Sequence, residues 1–139
     1  KKKKIEGVSE NIEYMARTIW GEARGEDEQG KIAVGHVIKN RRDKQTWMGK
    51  IIKDVCLKKW QFSCWNENDP NRNKILALKL NDLEDYLELS AKVISGMYDD
   101  PTKGSTHYYA KSMKSPPKWA EGKEPVYDHG GHLFFNDVK

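Results

Sequence analysis

The sequence predicts an α+β domain, a mainly helical body with a small antiparallel β element. Three observations carry this. Apolar residues recur at helical spacing through most of the first hundred positions. Beyond residue 100, Pro101, Gly104, Pro116, Pro117, Gly122, Pro125, Gly130 and Gly131 cut the chain into short pieces with aromatic or β-branched content. A length of 139 residues, 37% hydrophobic and 33% charged, fits one core rather than two.

Each element has its own warrant. Ser9 is placed to cap a helix from Glu10 to Ala23 or Arg24, with Ile12, Met15, Ala16, Ile19, Trp20 and Ala23 on one face. Gly25 stops it. Glu28 to Arg41 repeats the pattern through Ile32, Ala33, Val37 and Ile38, while His36 sits mid-helix. Thr46 is placed to cap a short third helix that turns Met48, Ile51, Ile52, Val55 and Cys56 inward. From Trp60 to Asn73 periodicity gives way to Asn, Asp and Pro, the mark of a loop; Ile75 to Leu80 allows a turn or two of helix. Asp82 to Tyr98 reads as a helix with Leu83, Tyr86, Leu87, Val93, Ile94 and Met97 inward. Thr106–Ala110 and Pro125–Asp128 suit strands, and His132–Phe135 suits a hairpin partner across Gly130-Gly131.

The organisation is a basic tail, residues 1–8, ahead of a single domain, residues 9–139. Of 25 Lys and Arg against 21 Asp and Glu, Lys1, Lys2, Lys3 and Lys4 supply the whole excess, so the body is balanced. That argues against nucleic acid as a partner, since counterion release needs a clustered basic surface. A basic stretch from Lys39 to Trp60 and an acidic one from Asn81 to Asp100 read as solvated faces, or, for the first, as attraction to an anionic polymer. No apolar run approaches the roughly 18 residues that cross a bilayer, and none follows the lysines as a signal peptide would. Membrane insertion is not expected, and a monomer is. Cys56 and Cys64 are too few for a disulfide framework; reduced thiols are the expectation and one bridge the alternative.

The chemistry concentrates at Trp-Gly-Glu-Ala-Arg-Gly-Glu, residues 20–26. At about 100° per residue, Glu22 lies at the edge of the apolar stripe. Desolvation and the negative end of the helix both penalise an ionised carboxylate there, which suits a general acid. Gly21 removes a side chain and lets another backbone or a ligand approach. The plainer reading is a helix-end ion pair with Arg24.

The run Ala-Arg-Thr-Ile-Trp-Gly-Glu-Ala-Arg-Gly-Glu, residues 16–26, with Gly30, Ala33-Val34 and Asn40-Arg41, resembles the cell-wall hydrolase family of spore-cortex lytic enzymes (the SleB and CwlJ type) and phage endolysins. The likeness continues in order through Gln61-Phe62-Ser63, Thr106-His107-Tyr108-Tyr109, Pro117 with Trp119, and His132 with Phe134. It implies a lysozyme-like fold and cleavage of the β-1,4 bond between N-acetylmuramic acid and N-acetylglucosamine in bacterial peptidoglycan. It also implies that residues 9–139 form the catalytic domain and that Glu22 is the catalytic acid.

Glycosidases commonly use a second carboxylate; Glu26 and Asp69 are the candidates. Otherwise the sugar's own 6-hydroxyl attacks and leaves a 1,6-anhydro end, the lytic transglycosylase outcome; a muramidase would use water. Gln61 and Ser63 suit hydrogen bonds to the sugars, and Trp65, Tyr108, Tyr109 and Trp119 suit stacking. Glu26, His107 and His132 complete the binding set; Phe62, Trp20 and Phe134 are expected in the core. No cofactor or metal is expected. Two rivals remain: a zinc amidase using His107, His129 and His132, and a noncatalytic glycan-binding module. The expected place of action is the bacterial cell wall, reached by host lysis as a phage endolysin or as part of a longer secreted or virion protein.

Overall fold

A computed structural model describes residues 4–139, so Lys1, Lys2 and Lys3 of the basic tail lie outside the described residues. The chain folds as a helical body with a three-stranded antiparallel sheet at one end of its sequence. Helix α1 (Glu10–Ala23) is the post on which the others pack; α2 (Glu28–Lys44), α3 (Ile52–Leu57), α4 (Pro70–Ala77) and α5 (Glu84–Ser95) all touch it. Ser9 caps α1 by accepting from the Ile12 N–H at 3.3 Å, and the helix buries Met15, Ala16, Ile19 and Ala23. Met15, Ile19 and Ala23 meet Val34, Val37 and Ile38 of α2, Val55 and Cys56 of α3, Ile75 of α4 and Val93 of α5 in one core. A smaller cluster around Ala16, Leu83 and Leu87 also covers Ile5 and Val8, and the Ile5 N–H donates to the Asn81 side chain at 3.0 Å.

Three elements differ from expectation. Thr46 does not cap α3: it accepts from the Met48 N–H within a tight turn, and α3 begins at Ile52 with no side-chain cap. The Asn-rich stretch is not all loop. Ser63–Trp65 forms a 3-10 turn, and α4 starts at Pro70 with Asp69 as its cap, accepting from the Asn71 N–H at 2.8 Å. The helix expected over Asp82–Tyr98 is divided. A 3-10 turn spans Leu80–Leu83, and Gly96, at φ 80°, ends α5, leaving Met97 outside it and 71% exposed. His36 is buried against the Ile32 carbonyl, and Cys56 and Cys64 are both buried and unpaired.

Strands β1 (His107–Ala110), β2 (Tyr127–His129) and β3 (His132–Phe135) are ordered β1-β3-β2. The expected Gly130-Gly131 hairpin joins β2 to β3, and β3 pairs Phe134 with both Tyr108 and Tyr127. Among the described residues no helix is long and apolar enough to cross a membrane.

Candidate active site

Glu22 sits in the last turn of α1, half-buried, with both carboxylate oxygens occupied. The Tyr108 hydroxyl of β1 donates to Oε1 at 2.6 Å, and the Cys64 backbone N–H donates to Oε2 at 3.1 Å. Gly21 is what permits the second bond: a Cβ there would lie 2.6 Å from Ile75 and 2.8 Å from Cys64. The missing side chain therefore admits the side chains of Cys64 and Ile75, where a backbone or a ligand was expected. Burial, then the Glu22 charge and hydrogen bond, hold the Tyr108 phenol well above its ordinary value, so it keeps the proton it donates. Burial, reinforced by Glu22, likewise pushes the Cys64 thiol up, while burial takes Cys56 to about 12. Neither is a nucleophile at neutral pH.

Behind this pair lies Arg41, a buried cation with no carboxylate bonded to it among the described residues. Its Nε donates to the Thr106 carbonyl at 2.7 Å, its Nη1 to Gln61 Oε1 at 3.1 Å, and its guanidinium lies 4.7 Å from the Phe62 ring centre. Burial pulls its pKa down, while Tyr108, Cys56 and Glu22 pull the other way. Because Gln61 Oε1 accepts from Arg41, the amide's NH2 is the end left to donate outward. Ser63 is exposed beside it.

Glu26, one turn beyond Glu22 in sequence, does a different job. Its Oε1 accepts from the Gly131 N–H at 3.0 Å, at the β2–β3 turn. That contact is tight: a Cβ on Gly130 would collide with the same Oε1, and one on Gly30 would lie 2.9 Å from Glu26 Cβ. Next to it Asp27 caps α2 through the Gly30 N–H and meets His129 Nε2 at 2.8 Å. That backbone bond, then His129, holds the Asp27 carboxyl below its usual range. The α1–α2 elbow thus clasps the hairpin. His132 Nδ1 is buried without a hydrogen-bond partner among the described residues, 3.9 Å from Glu26 Oε1. Burial lowers the His132 pKa against the pull of Glu26 and Glu22.

The expected aromatic set divides. Tyr108, His132 and Phe134 interlock, with Tyr108 4.9 Å from His132 and 5.5 Å from Phe134. His107, Tyr109, Phe135 and Trp119 form a second cluster, Tyr109 stacking on Phe135 at 5.6 Å and Trp119 lying 5.0 Å from His107. Strand alternation puts Tyr108 and Tyr109 on opposite faces. Trp65 belongs to neither cluster: its Nε1–H donates to Thr18 Oγ1 at 2.9 Å and its ring lies 5.9 Å from Tyr14. Asp69, the other candidate carboxylate, is committed to its helix cap. The three histidines of the zinc reading have separate partners, Thr106 for His107, Asp27 for His129 and the Tyr108 ring for His132. Arg41 and the Cys64 N–H escaped the sequence reading. Asn40-Arg41 stands among the residues that carry the family resemblance, but helical spacing puts Arg41 outside the apolar stripe of α2, whereas the structure buries it; the Cys64 N–H is a backbone group with no sequence signature.

Residues 25–135 match the family described as Cell Wall Hydrolase. No curated protein matches. The fold is similar to that of the catalytic domain of the Bacillus cereus SleB protein, with a TM-score of 0.72 and 25% identity over 97% of this chain and 94% of that one. It is similar also to the catalytic domain of germination-specific lytic transglycosylase SleB from Bacillus anthracis, with a TM-score of 0.68 and 25% identity over 98% of this chain and 100% of that one.

Proposed function

The chain belongs to the cell wall hydrolase family and is a peptidoglycan-degrading enzyme, and from that premise we propose that it cuts the glycan strand between N-acetylmuramic acid and N-acetylglucosamine as a lytic transglycosylase. Glu22 is the acid and then the base. It protonates the glycosidic oxygen while positive charge develops at the anomeric carbon of the muramic acid. The resulting carboxylate then takes the proton of the same sugar's 6-hydroxyl, whose oxygen closes on that carbon to give the 1,6-anhydro end. The proton lost in the first step is regained in the second, so no water is consumed.

The observation that carries this reading is the grip on Glu22, a half-buried carboxylate fixed from two elements far apart in sequence. The single-carboxylate route is supported by the occupations of Glu26 and Asp69, one on the Gly131 N–H and the other on the Asn71 N–H. Gln61, oriented by Arg41, offers its NH2 to the carbonyl of an N-acetyl group, and Ser63 offers a hydroxyl.

Mass spectrometry of digested peptidoglycan tests the proposal. Anhydro-muropeptides from the wild type and none from Glu22→Gln are expected. Reducing muropeptides would mean attack by water, and free stem peptides would mean an amidase; either result overturns the transglycosylase route.

A further inference from the structure

The turn after α3 presents an indole to solvent in a conformation that indoles rarely adopt. The Gln61 N–H donates to the Lys58 carbonyl at 3.2 Å, and Trp60, third in that turn, has φ 66°. Turns that need a left-handed residue use Gly or Asn there, because a Cβ crowds the backbone. The ring is little covered by the fold: Trp60 is 77% exposed and makes no aromatic or cation–π ring contact among the described residues. Backbone outliers of this kind cluster at ligand clamps and switch regions.

Trp60 opens onto a cleft of about 650 Å³ whose lining includes Tyr14, Trp65, Lys58, Lys59 and Arg72, with Glu67 the one acid there among the described residues. The side chains of Lys58, Lys59 and Arg72 form no ion pair among the described residues. Glu22, Tyr108 and Cys64 do not line it. Aromatic rings beside free cations complement a polymer that alternates flat C–H faces with carboxylates.

We infer that this cleft is a second glycan-strand site, separate from Glu22, where Trp60 stacks on an amino sugar and Lys58, Lys59 and Arg72 meet the carboxylates of the stem peptides. The choice of polymer rests on the peptidoglycan reading; the site does not depend on the role of Glu22. Its effect is to hold the enzyme on an insoluble wall between cuts.

The test is co-sedimentation of the full chain with purified peptidoglycan stripped of wall phosphate polymers, in a Glu22→Gln background so that the wall stays intact. Adding Trp60→Gly is expected to weaken binding about tenfold, the loss of one exposed aromatic anchor. The melting temperature should stay equal or rise, since glycine accepts φ 66° without strain. Trp60→Phe should bind close to its parent. Lys58→Glu with Lys59→Glu should weaken binding most at low salt. Undiminished binding by the Trp60→Gly protein overturns the inference. So does a loss seen only on walls that retain their phosphate polymers, or only on phosphatidylglycerol vesicles. Failure of the transglycosylase reading appears separately, as a wild-type digest without anhydro-muropeptides, and leaves the sedimentation result standing.

Discussion

The two faces of β1 use neighbouring residues of one motif for unlike purposes. Tyr108 turns toward the helices, loses most of its solvent and spends its hydroxyl on Glu22. His107 and Tyr109 turn the other way into the cluster with Trp119 and Phe135. The first face is polar at its tip and tied to α1; the second is ring against ring. A run of aromatics in a strand is therefore two half-sets, each answering to a different environment.

The sharpest way to break that contrast is at the carboxylate itself. Glu22→Gln keeps the shape and removes the proton, and should reduce glycan cleavage by about 10²–10⁴-fold with unaltered wall binding, measured by muropeptide release and sedimentation. Tyr108→Phe should follow at about 10–100-fold in kcat, with KM nearly constant and an altered pH–rate profile, because the ring stays while the donor to Glu22 is lost. A purely structural role for the hydroxyl would leave that profile unmoved.

Gly21→Ala attacks the other donor. Its Cβ would press on Cys64 and Ile75, costing about 2 kcal/mol through overpacking, visible as a lowered melting temperature together with reduced activity. On the far face, Trp119→Ala should cost about 1–2 kcal/mol of stability, less than a fully buried ring would, and lower kcat much less than Tyr108→Phe does. A larger kinetic than thermal effect there would move the second cluster into the substrate groove.

The same far face also carries a pH dependence. Burial, then the charge of Arg41, takes His107 down to about 4. Its unfolded value is about 6.5, so between these two the unfolded chain binds a proton that the native one refuses. Stability should rise with pH across that window and flatten above it. Replacing His107 by Gln should remove this part of the slope in melting curves taken from pH 4 to 7.

Local signals read well in the sequence. Ser9 and the apolar stripe fix α1, the same stripe sets Glu22 at its edge, and Gly130-Gly131 fixes the hairpin. Where the structure departs from expectation, one local signal has two meanings. Asp69-Pro70 is a cap followed by a helix-compatible proline, yet amid so many asparagines it resembles loop. Met97 fits the helical repeat, but Gly96 takes the left-handed conformation first. Tyr108 and Tyr109 share a motif, and only alternation separates their roles. The bond from Tyr108 to Glu22 joins residues 86 apart; it depends on how sheet and helix dock, which periodicity does not encode.

The strand order has a consequence for synthesis. The middle strand, β3, is the last of the three to leave the ribosome, and β1 pairs with it rather than with β2. Until residues 132–135 have emerged, Tyr108 has no sheet to hold it against α1. A chain that ends before β3 can thus form its helices while the Tyr108–Glu22 bond, which needs the sheet to be docked, stays unmade.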